Sequence, residues 1–317
     1  MRWAVLCMAV MGWATQAAAA SCPCTNVFVG EARPFIAEGI ARDAATDCFF
    51  VASVATRRIV TIHDGRQRDF AHLPDDYSPL GIALSGGTLW VTAAVVAQGS
   101  GHDGPSALIA LDQRDGQVRQ VYPVTDARRH ILNDLTFAPD GTVYASDAMD
   151  GSLYRLGPGD RALTRLGWRA LLKSAQGMAV SADGISLLVA DYSIGLVKFD
   201  LASATFAPLQ IPDGVNVRGM DGLARLPDGS FLASQNGLSK PRILRLSLSP
   251  DWSQLLSLEV IAADDFAVAD PSLVMADPSG AYVVGVSQWA SFGQNGQTPT
   301  RALHPWQIVK LTLNAAR

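Results

Sequence analysis

The clearest pattern along the chain is a repeated pair of apolar runs joined by a tight polar turn. Three copies read NDLTFAPDGTVYASDAMDGSLYRL, QGMAVSADGISLLVADYSIGLVKFD and DGLARLPDGSFLASQNG. Asp-Gly between alternating apolar residues predicts a β-hairpin, because glycine accepts the positive φ that a tight turn requires. The turn aspartates Asp140, Asp183 and Asp228 are 43 and 45 residues apart. This period is typical of four-stranded propeller blades.

Three weaker copies complete the repeat and predict an all-β fold, a six-bladed β-propeller of four-stranded blades. They read EGIARDAATDCFFVASVATRRIVTI, LGIALSGGTLWVTAAVV and SLVMADPSGAYVVGVSQW, and the last two carry long inserts. A tandem of unrelated β-sandwiches would not predict matched phases across the repeats. A propeller has to protect the edges of its first and last sheets. We therefore expect the N-terminal strand 26–29 to pair into the last blade, beside strand 308–313.

The N-terminus has the features of an export signal. Arg2 precedes an apolar stretch from Trp3 to Trp13 and four alanines at 17–20, which predicts a signal peptide over residues 1–20 and one propeller domain over 21–317. A membrane anchor is less favoured, because the apolar core is shorter than the roughly 20 residues that span a bilayer. A lipoprotein with Cys22 lipidated is the other alternative. We expect a periplasmic or secreted protein, away from the membrane after cleavage.

Cysteine usage agrees with an oxidising compartment. Removal of the signal leaves Cys22, Cys24 and Cys48. A zinc site needs about four ligands at set spacings, and no second Cys or His pair follows Cys22-Pro-Cys24. We therefore predict one structural disulfide between Cys48 and either Cys22 or Cys24, with one thiol left over.

Composition limits the partners. Of the 317 residues, 49% are hydrophobic and 17% charged, which indicates a packed core rather than disorder. The formal charge of −4 becomes −5 once the leader, which carries only Arg2, is removed. The chain has no run of Lys and Arg, so we expect no nucleic-acid partner.

The phase of the repeats locates a candidate site. A residue with a side-chain oxygen stands eight positions before the turn glycine, or before Thr46 in the first blade: Glu38, Asn133, Gln176 and Asp221. The second blade offers Leu80 at this phase, and the sixth offers Ser272 with Asp270 two residues earlier. Equal phase predicts that these side chains meet at one end of the central channel.

Two carboxylates and two amide oxygens are hard ligands, so they suit calcium or another divalent ion and leave positions for water or substrate. Any one of these residues could instead hydrogen-bond local backbone at a loop-to-strand junction. Four of them at one phase favour a shared metal site. Asp134, beside Asn133, is expected to support its neighbours or cap the local backbone rather than bind the ion.

On these residues the chain resembles the regucalcin/gluconolactonase family of six-bladed propellers, which is related to paraoxonases and strictosidine synthases. The resemblance covers most of residues 35 to 290. Glu38-Gly39 is similar to the family's metal-binding glutamate in the first blade, and Asn133-Asp134 to its Asn-Asp pair, whose Asn serves substrate and metal. Asp221-Gly222 is similar to the element whose Asp is both metal ligand and proposed base. Gln176-Gly177 departs from the family's Asn-Gly, and Ile40 stands where Pro is usual.

The resemblance implies a metal-dependent hydrolase of a lactone or related ester, with a small-molecule substrate at the channel mouth. Asp221 and Asn133 would be its catalytic residues. A paraoxonase-like histidine base is an alternative, for which only His102 and His130 could reach the mouth. Trp289, Phe292 and Tyr77 could wall an apolar pocket there or pack between blades.

Two other classes of function stay open. One is a non-catalytic exported propeller that binds a protein or a metabolite. The other is an enzyme similar to strictosidine synthase, which uses a glutamate with an amine substrate and needs no metal. Fold analogy does not decide between these classes.

Overall fold

The six-bladed propeller is confirmed. The computed structural model describes residues 24–96, 104–166, 171–292, 299 and 301–313. Within these residues the chain forms six antiparallel sheets of four strands each. The predicted signal peptide, Cys22 and His102 lie outside the described residues. No helix among the described residues has the length and apolar character that a membrane span requires.

The strands, numbered in chain order, run from the innermost to the outermost position in each of the first five blades. Blade one contains β2 (Ala37–Asp43), β3 (Cys48–Ser53), β4 (Arg58–His63) and β5 (Arg66–His72). Blade two contains β6 (Ser78–Ser85), β7 (Thr88–Ala94), β8 (Ser106–Asp112) and β9 (Val118–Pro123). Blade three contains β10 (Leu132–Phe137), β11 (Val143–Asp147), β12 (Leu153–Leu156) and β13 (Thr164–Leu166).

The remaining blades follow the same order, except that the last one includes the first strand of the chain. Blade four contains β14 (Ala175–Val180), β15 (Ser186–Asp191), β16 (Gly195–Asp200) and β17 (Thr205–Pro208). Blade five contains β18 (Met220–Arg225), β19 (Phe231–Gln235), β20 (Arg242–Leu248) and β21 (Leu255–Ala263). Blade six contains β22 (Val274–Asp277), β23 (Gly280–Val286), β24 (Gln307–Leu311) and β1 (Cys24–Val29), and short 3₁₀ helices lie at Phe266–Val268 and Trp289–Ser291.

The ring is closed as predicted, by the N-terminal strand. β1 pairs antiparallel with β24, where Phe28 lies opposite Ile308 and Cys24 opposite Leu311. Trp306, which is 1% exposed, stacks on Phe35 at this seam with ring centroids 4.6 Å apart. The pairing gives β24 a neighbour on each side, so blade six has the same four strands as the others.

The predicted disulfide of Cys48 is wrong, because Cys48 carries a free thiol. Cys48 begins β3 and packs against the apolar cluster between blades one and two. Cys24 begins β1 and packs against the cluster between blades five and six. The closing strand therefore places Cys24 at a different blade interface from Cys48.

A register irregularity interrupts the innermost strand of five blades at the same phase. The ladder to the second strand skips two residues between these pairs: Ala37 and Ile40, Pro79 and Ile82, Leu132 and Leu135, Ala175 and Met178, and Met220 and Leu223. The skipped positions include all four residues of the predicted site. Irregularities of this kind re-aim a side chain away from the ladder, and here the four side chains line the cavity at the mouth of the channel.

Close approach of neighbouring backbones explains the glycine that follows the site residue in most blades. A Cβ on Gly39 would collide with the carbonyl oxygen of Leu80 in the next blade. A Cβ on Gly177 would likewise collide with the backbone nitrogen of Leu223. The X-Gly repeat therefore reflects contact between adjacent innermost strands, and the residue before each glycine is left to face the channel.

A buried hydroxyl ties the second blade to the third at this level. Thr92 Oγ1 accepts a hydrogen bond from Gly81 N at 2.8 Å and donates one to Asn133 O at 2.8 Å. Thr92→Val keeps the shape but leaves both groups without this partner, so we expect unfolding to become easier by about 1–3 kcal/mol. Urea denaturation measures the change. Thr25→Val, at an exposed position in β1, is the control and should stay within about 0.5 kcal/mol of wild type; equal stabilities of the two variants would contradict the role of Thr92.

Candidate metal centre

The four residues of shared phase line one cavity at the mouth of the channel. Its volume is about 320 Å³, and its walls also include Tyr192, Asn236, Asp270 and Trp289. Glu38, Asn133, Gln176 and Asp221 come from blades one, three, four and five. The structure therefore brings together the four residues that were predicted to form the site.

In three of these four side chains, one polar atom is hydrogen-bonded to a neighbouring residue. The indole Nε1 of Trp289 donates to Glu38 Oε2. Asn236 Nδ2 donates to Asp221 Oδ2 at 2.7 Å. Gln176 Nε2 donates to Ser174 Oγ at 2.9 Å. Asn133 also interacts with the carboxylate of Asp221. The bond to Ser174 turns Oε1 of Gln176 away from the anchored amide nitrogen, so that this oxygen is the atom with which Gln176 could bind a ligand.

The buried side-chain amide of Asn133 indicates that the site binds a ligand. Its side chain is buried, with 6% of the residue exposed, and its Nδ2 makes no hydrogen bond of normal geometry to any described residue, although Asn133 lies near enough to Asp221 to lower the pKa of that carboxyl. An unsatisfied buried amide is costly, by about 1–3 kcal/mol. The cavity that Asn133 lines is where the missing partner would lie.

Repulsion between the buried carboxylates of the cavity also favours binding of a cation. Burial, with repulsion from Asp221, Asp270 and Asp134, raises the pKa of Glu38 well above its ordinary value, although the bond from Trp289 opposes this. Burial raises the pKa of Asp221 to about 6, against the lowering effect of Asn236. None of the described residues that line the cavity is Lys or Arg. Hard oxygen donors and a carboxylate-lined cavity fit a divalent ion such as calcium.

Asp134 caps local backbone, as expected. Its Oδ1 accepts the backbone N–H of Leu135 at 2.8 Å. It lines a second cavity of about 340 Å³ further along the channel rather than the one at the mouth. Burial, opposed by the bond from Leu135, raises the pKa of Asp134 to about 7.

Sequence reasoning missed Tyr192 and Asn236. Each directly follows the second strand of its blade, β15 for Tyr192 and β19 for Asn236. This is a second shared phase, at the same mouth of the channel, and it could have been found by aligning the ends of these strands. Asp270, which lies before the innermost strand of blade six, bridges to Val286 at the end of β23.

The three aromatic candidates divide between the site and the core. Trp289 lines the cavity. Tyr77 is buried in the apolar cluster between blades one and two, and Phe292 is buried beside Leu80 and Val54. Only Trp289 fulfils the pocket prediction, and the other two pack between blades.

His130 is not placed to act as a base at the mouth. It is 4% exposed and does not line the cavity. Its Nδ1 bonds to Asp147 Oδ2 at 2.5 Å and its Nε2 to Asp126 Oδ1 at 2.5 Å. His130, Asp147 and Asp150 have ligand-type atoms within 4.8 Å of one another, but both ring nitrogens already have carboxylate partners.

Solved structures share this architecture. A gluconolactonase from Xanthomonas campestris is 17% identical, with a TM-score of 0.61, over 88% of this chain and 86% of that one. A regucalcin from Agrobacterium tumefaciens, titled a calcium-binding protein, is 16% identical, with a TM-score of 0.60, over 90% and 93%. The PQQ-bound aldose sugar dehydrogenase from Streptomyces coelicolor is 14% identical, with a TM-score of 0.60, over 90% and 96%.

No family model matches the chain, and no curated protein matches its sequence. At these sequence identities the structural likeness shows a shared fold. The proteins that share it include a gluconolactonase and a regucalcin, which have the names of the family that the sequence resembles. Propellers of this shape carry different chemistries. The side chains at the channel mouth, rather than the fold, therefore determine the function.

Proposed function

We propose that this protein is a calcium-dependent hydrolase of a lactone or a related ester. The observation that carries the proposal is the convergence of Glu38, Asn133, Gln176 and Asp221 on one cavity. The gluconolactonase and the calcium-binding regucalcin among its structural neighbours support the same reaction class and the same ion.

The four oxygen-bearing side chains would hold the ion, which when bound polarises the substrate carbonyl and stabilises the developing negative charge. The hydrogen bond between Gln176 Nε2 and Ser174 matters here, because it leaves Oε1 as the ligating atom. The extra methylene of Gln, compared with the Asn of the family it resembles, is thus accommodated by anchoring its amide nitrogen.

Asp221 would accept the proton of the attacking water. With a pKa of about 6 its carboxyl is mostly ionised at neutral pH, the state that a general base needs. Asn236 donates to Oδ2, and the other oxygen of the carboxylate would take the proton. Asn133 Nδ2 would donate to an oxygen of the substrate and orient it, because it makes no hydrogen bond of normal geometry to any described residue.

Calcium titration of Glu38→Gln tests the ligand set without reference to activity. The substitution keeps the shape but removes a charge, and we expect calcium affinity to fall by more than the roughly 10- to 100-fold that loss of an outer partner costs a metal site. Isothermal titration calorimetry on chelator-treated protein measures it. Glu259→Gln, at an exposed position on β21, is the matched control; equal affinities in the two variants would contradict the proposed site.

A panel of lactones and esters, assayed with and without chelator, tests the reaction class. We expect turnover of at least one lactone, its loss on chelation and its recovery with added calcium. Folded, calcium-loaded protein that hydrolyses nothing in a broad panel would contradict the hydrolase and favour a binding propeller.

A further inference from the structure

The strand that carries Asp221 does not by itself fix the orientation of its carboxylate. The ladder between β18 and β19 passes directly from Met220 to Leu223, so Asp221 lies outside it. Contacts of the side chain therefore determine how the carboxylate is turned in the cavity. Asn236, the residue that follows β19, donates from Nδ2 to Asp221 Oδ2 at 2.7 Å. Asn133 also interacts with this carboxylate.

Each polar atom of the Asn236 side chain has a partner. Its Nδ2 donates to the carbonyl oxygen of Pro271 at 2.9 Å as well as to Asp221. Its Oδ1 accepts a hydrogen bond from the hydroxyl of Tyr192 at 3.0 Å. A carbonyl and a carboxylate can only accept, so the amide nitrogen has to face both of them and the amide oxygen has to face Tyr192. The Asn236 amide is thus held in one orientation.

Tyr192 reaches Asn236 from the neighbouring blade. It follows β15 of blade four, and its ring lies over Gly237 of blade five. A Cβ on Gly237 would lie 2.8 Å from Cζ of Tyr192 and 2.9 Å from its hydroxyl oxygen, closer than such atoms approach. The backbone is tied here as well, because Gly219 N donates to Tyr192 O at 2.8 Å. The missing side chain at Gly237 therefore gives the phenol the space through which it reaches Asn236.

These contacts form a chain that joins three blades behind one carboxylate. Tyr192 belongs to blade four, Asn236 and Asp221 belong to blade five, and Pro271 leads into blade six. All of them except Pro271 line the cavity at the mouth of the channel. Partners that hold a metal ligand in place typically contribute about 10- to 100-fold to metal affinity or activity.

We propose that Asn236 and Tyr192 are positioning residues for Asp221. Asn236 fixes the carboxylate in the orientation in which it meets the ion and the attacking water, and Tyr192 fixes Asn236. The inference rests on the proposed function in giving Asp221 these two duties. It predicts that Tyr192 acts through Asn236 and not as a separate part of the cavity wall.

Calcium affinity is the first measurement, made by calorimetry on the chelator-treated full chain. Asn236→Ala should bind calcium about 10- to 100-fold more weakly than wild type. Tyr192→Phe loses only the hydroxyl and should bind about 2- to 10-fold more weakly, the effect of one neutral hydrogen bond. Asn26→Ala, at an exposed position of β1, and Tyr122→Phe, at a half-buried position of β9, are the matched controls and should bind as wild type does. Wild-type affinity in Asn236→Ala, with folding verified by circular dichroism, would overturn the proposal.

A double-mutant cycle tests the order of the chain. If Tyr192 acts through Asn236, adding Tyr192→Phe to Asn236→Ala should cause no further loss of calcium affinity. The same fold-loss from Tyr192→Phe in both backgrounds would show that the two residues act independently, and would overturn the role given to Tyr192.

Steady-state kinetics at saturating calcium distinguishes positioning of Asp221 from contact with the substrate. Asn236→Ala should lower kcat for the hydrolysed lactone by about 10- to 100-fold, and KM should change much less, because the carboxylate acts mainly in the transition state. A loss confined to KM would assign Asn236 to substrate binding and overturn the positioning role.

Crystal structures of calcium-free wild type and Asn236→Ala separate this inference from the proposed function. The carboxylate of Asp221 should keep its hydrogen-bonded orientation in wild type and leave it in the variant. The same orientation in both would overturn the positioning role, even in a protein that binds calcium. If wild type binds no calcium and hydrolyses no lactone, the proposed function fails, whereas an Asp221 side chain that turns in the variant still supports its positioning by Asn236.

Discussion

Asp221→Asn is expected to lower turnover of the hydrolysed lactone by at least about 100-fold, the lower end of what general-base catalysis contributes. The variant keeps the size of the side chain and one ligating oxygen but removes both the charge and the proton acceptor. KM should change much less, because the lost interaction acts mainly in the transition state. Steady-state kinetics at saturating calcium measures both parameters.

Two controls make this result specific to Asp221. Asp213→Asn changes an exposed carboxylate and should leave turnover unchanged. Gln176→Asn restores the residue of the resembled family and should retain or raise calcium affinity. If Asp221→Asn retained the turnover of wild type with calcium bound, Asp221 could not be the base.

His130 is expected to make the stability of the fold depend on pH in the alkaline range. Burial alone would lower the pKa of His130, but the bonds to Asp147 and Asp126 outweigh it and raise the pKa from 6.5 to about 9. The folded state thus holds the proton more tightly than the unfolded chain. The resulting stabilisation is complete below about pH 6.5 and is lost as the pH rises through 9; a shift of this size corresponds to about 3 kcal/mol.

Urea denaturation of wild type and His130→Gln between pH 6 and pH 10 measures this dependence. The wild-type free energy of unfolding should fall with rising pH over this range, and the variant should show a flatter profile and lower stability at pH 6. His63→Gln, at the exposed last residue of β4, should follow the wild-type curve. A difference between His130→Gln and wild type that did not vary with pH would contradict the charged state assigned to His130.

The sequence predicted the site residues that stand at the same position of the blade repeat. Glu38 and Asp221 could be found because each precedes a glycine that the neighbouring backbone requires, so the spacing to the turn is the same in different blades. Asn133 stands at the same distance from its turn glycine, although Asp134 occupies the position of the glycine that follows the site residue in the other blades.

The rest of the site depends on contacts that no spacing reveals. Tyr192 and Asn236 bond to each other across two blades, and Asn236 also donates to the carbonyl oxygen of Pro271 in a third. The predicted disulfide of Cys48 rests only on the oxidising compartment and on the lack of further ligands for a zinc site. Its free thiol follows from the place of β1 in blade six, a pairing that the same sequence did predict.

The closing strand has a consequence for the order in which the molecule can be assembled. Phe28 finds its partner Ile308 at the far end of the chain, so the first strand to be synthesised is the last that can be placed. Pairing between such distant segments has a high entropic cost and folds slowly. Every blade before the sixth can form from its own consecutive strands, but the circle stays open until β24 is present to pair with β1.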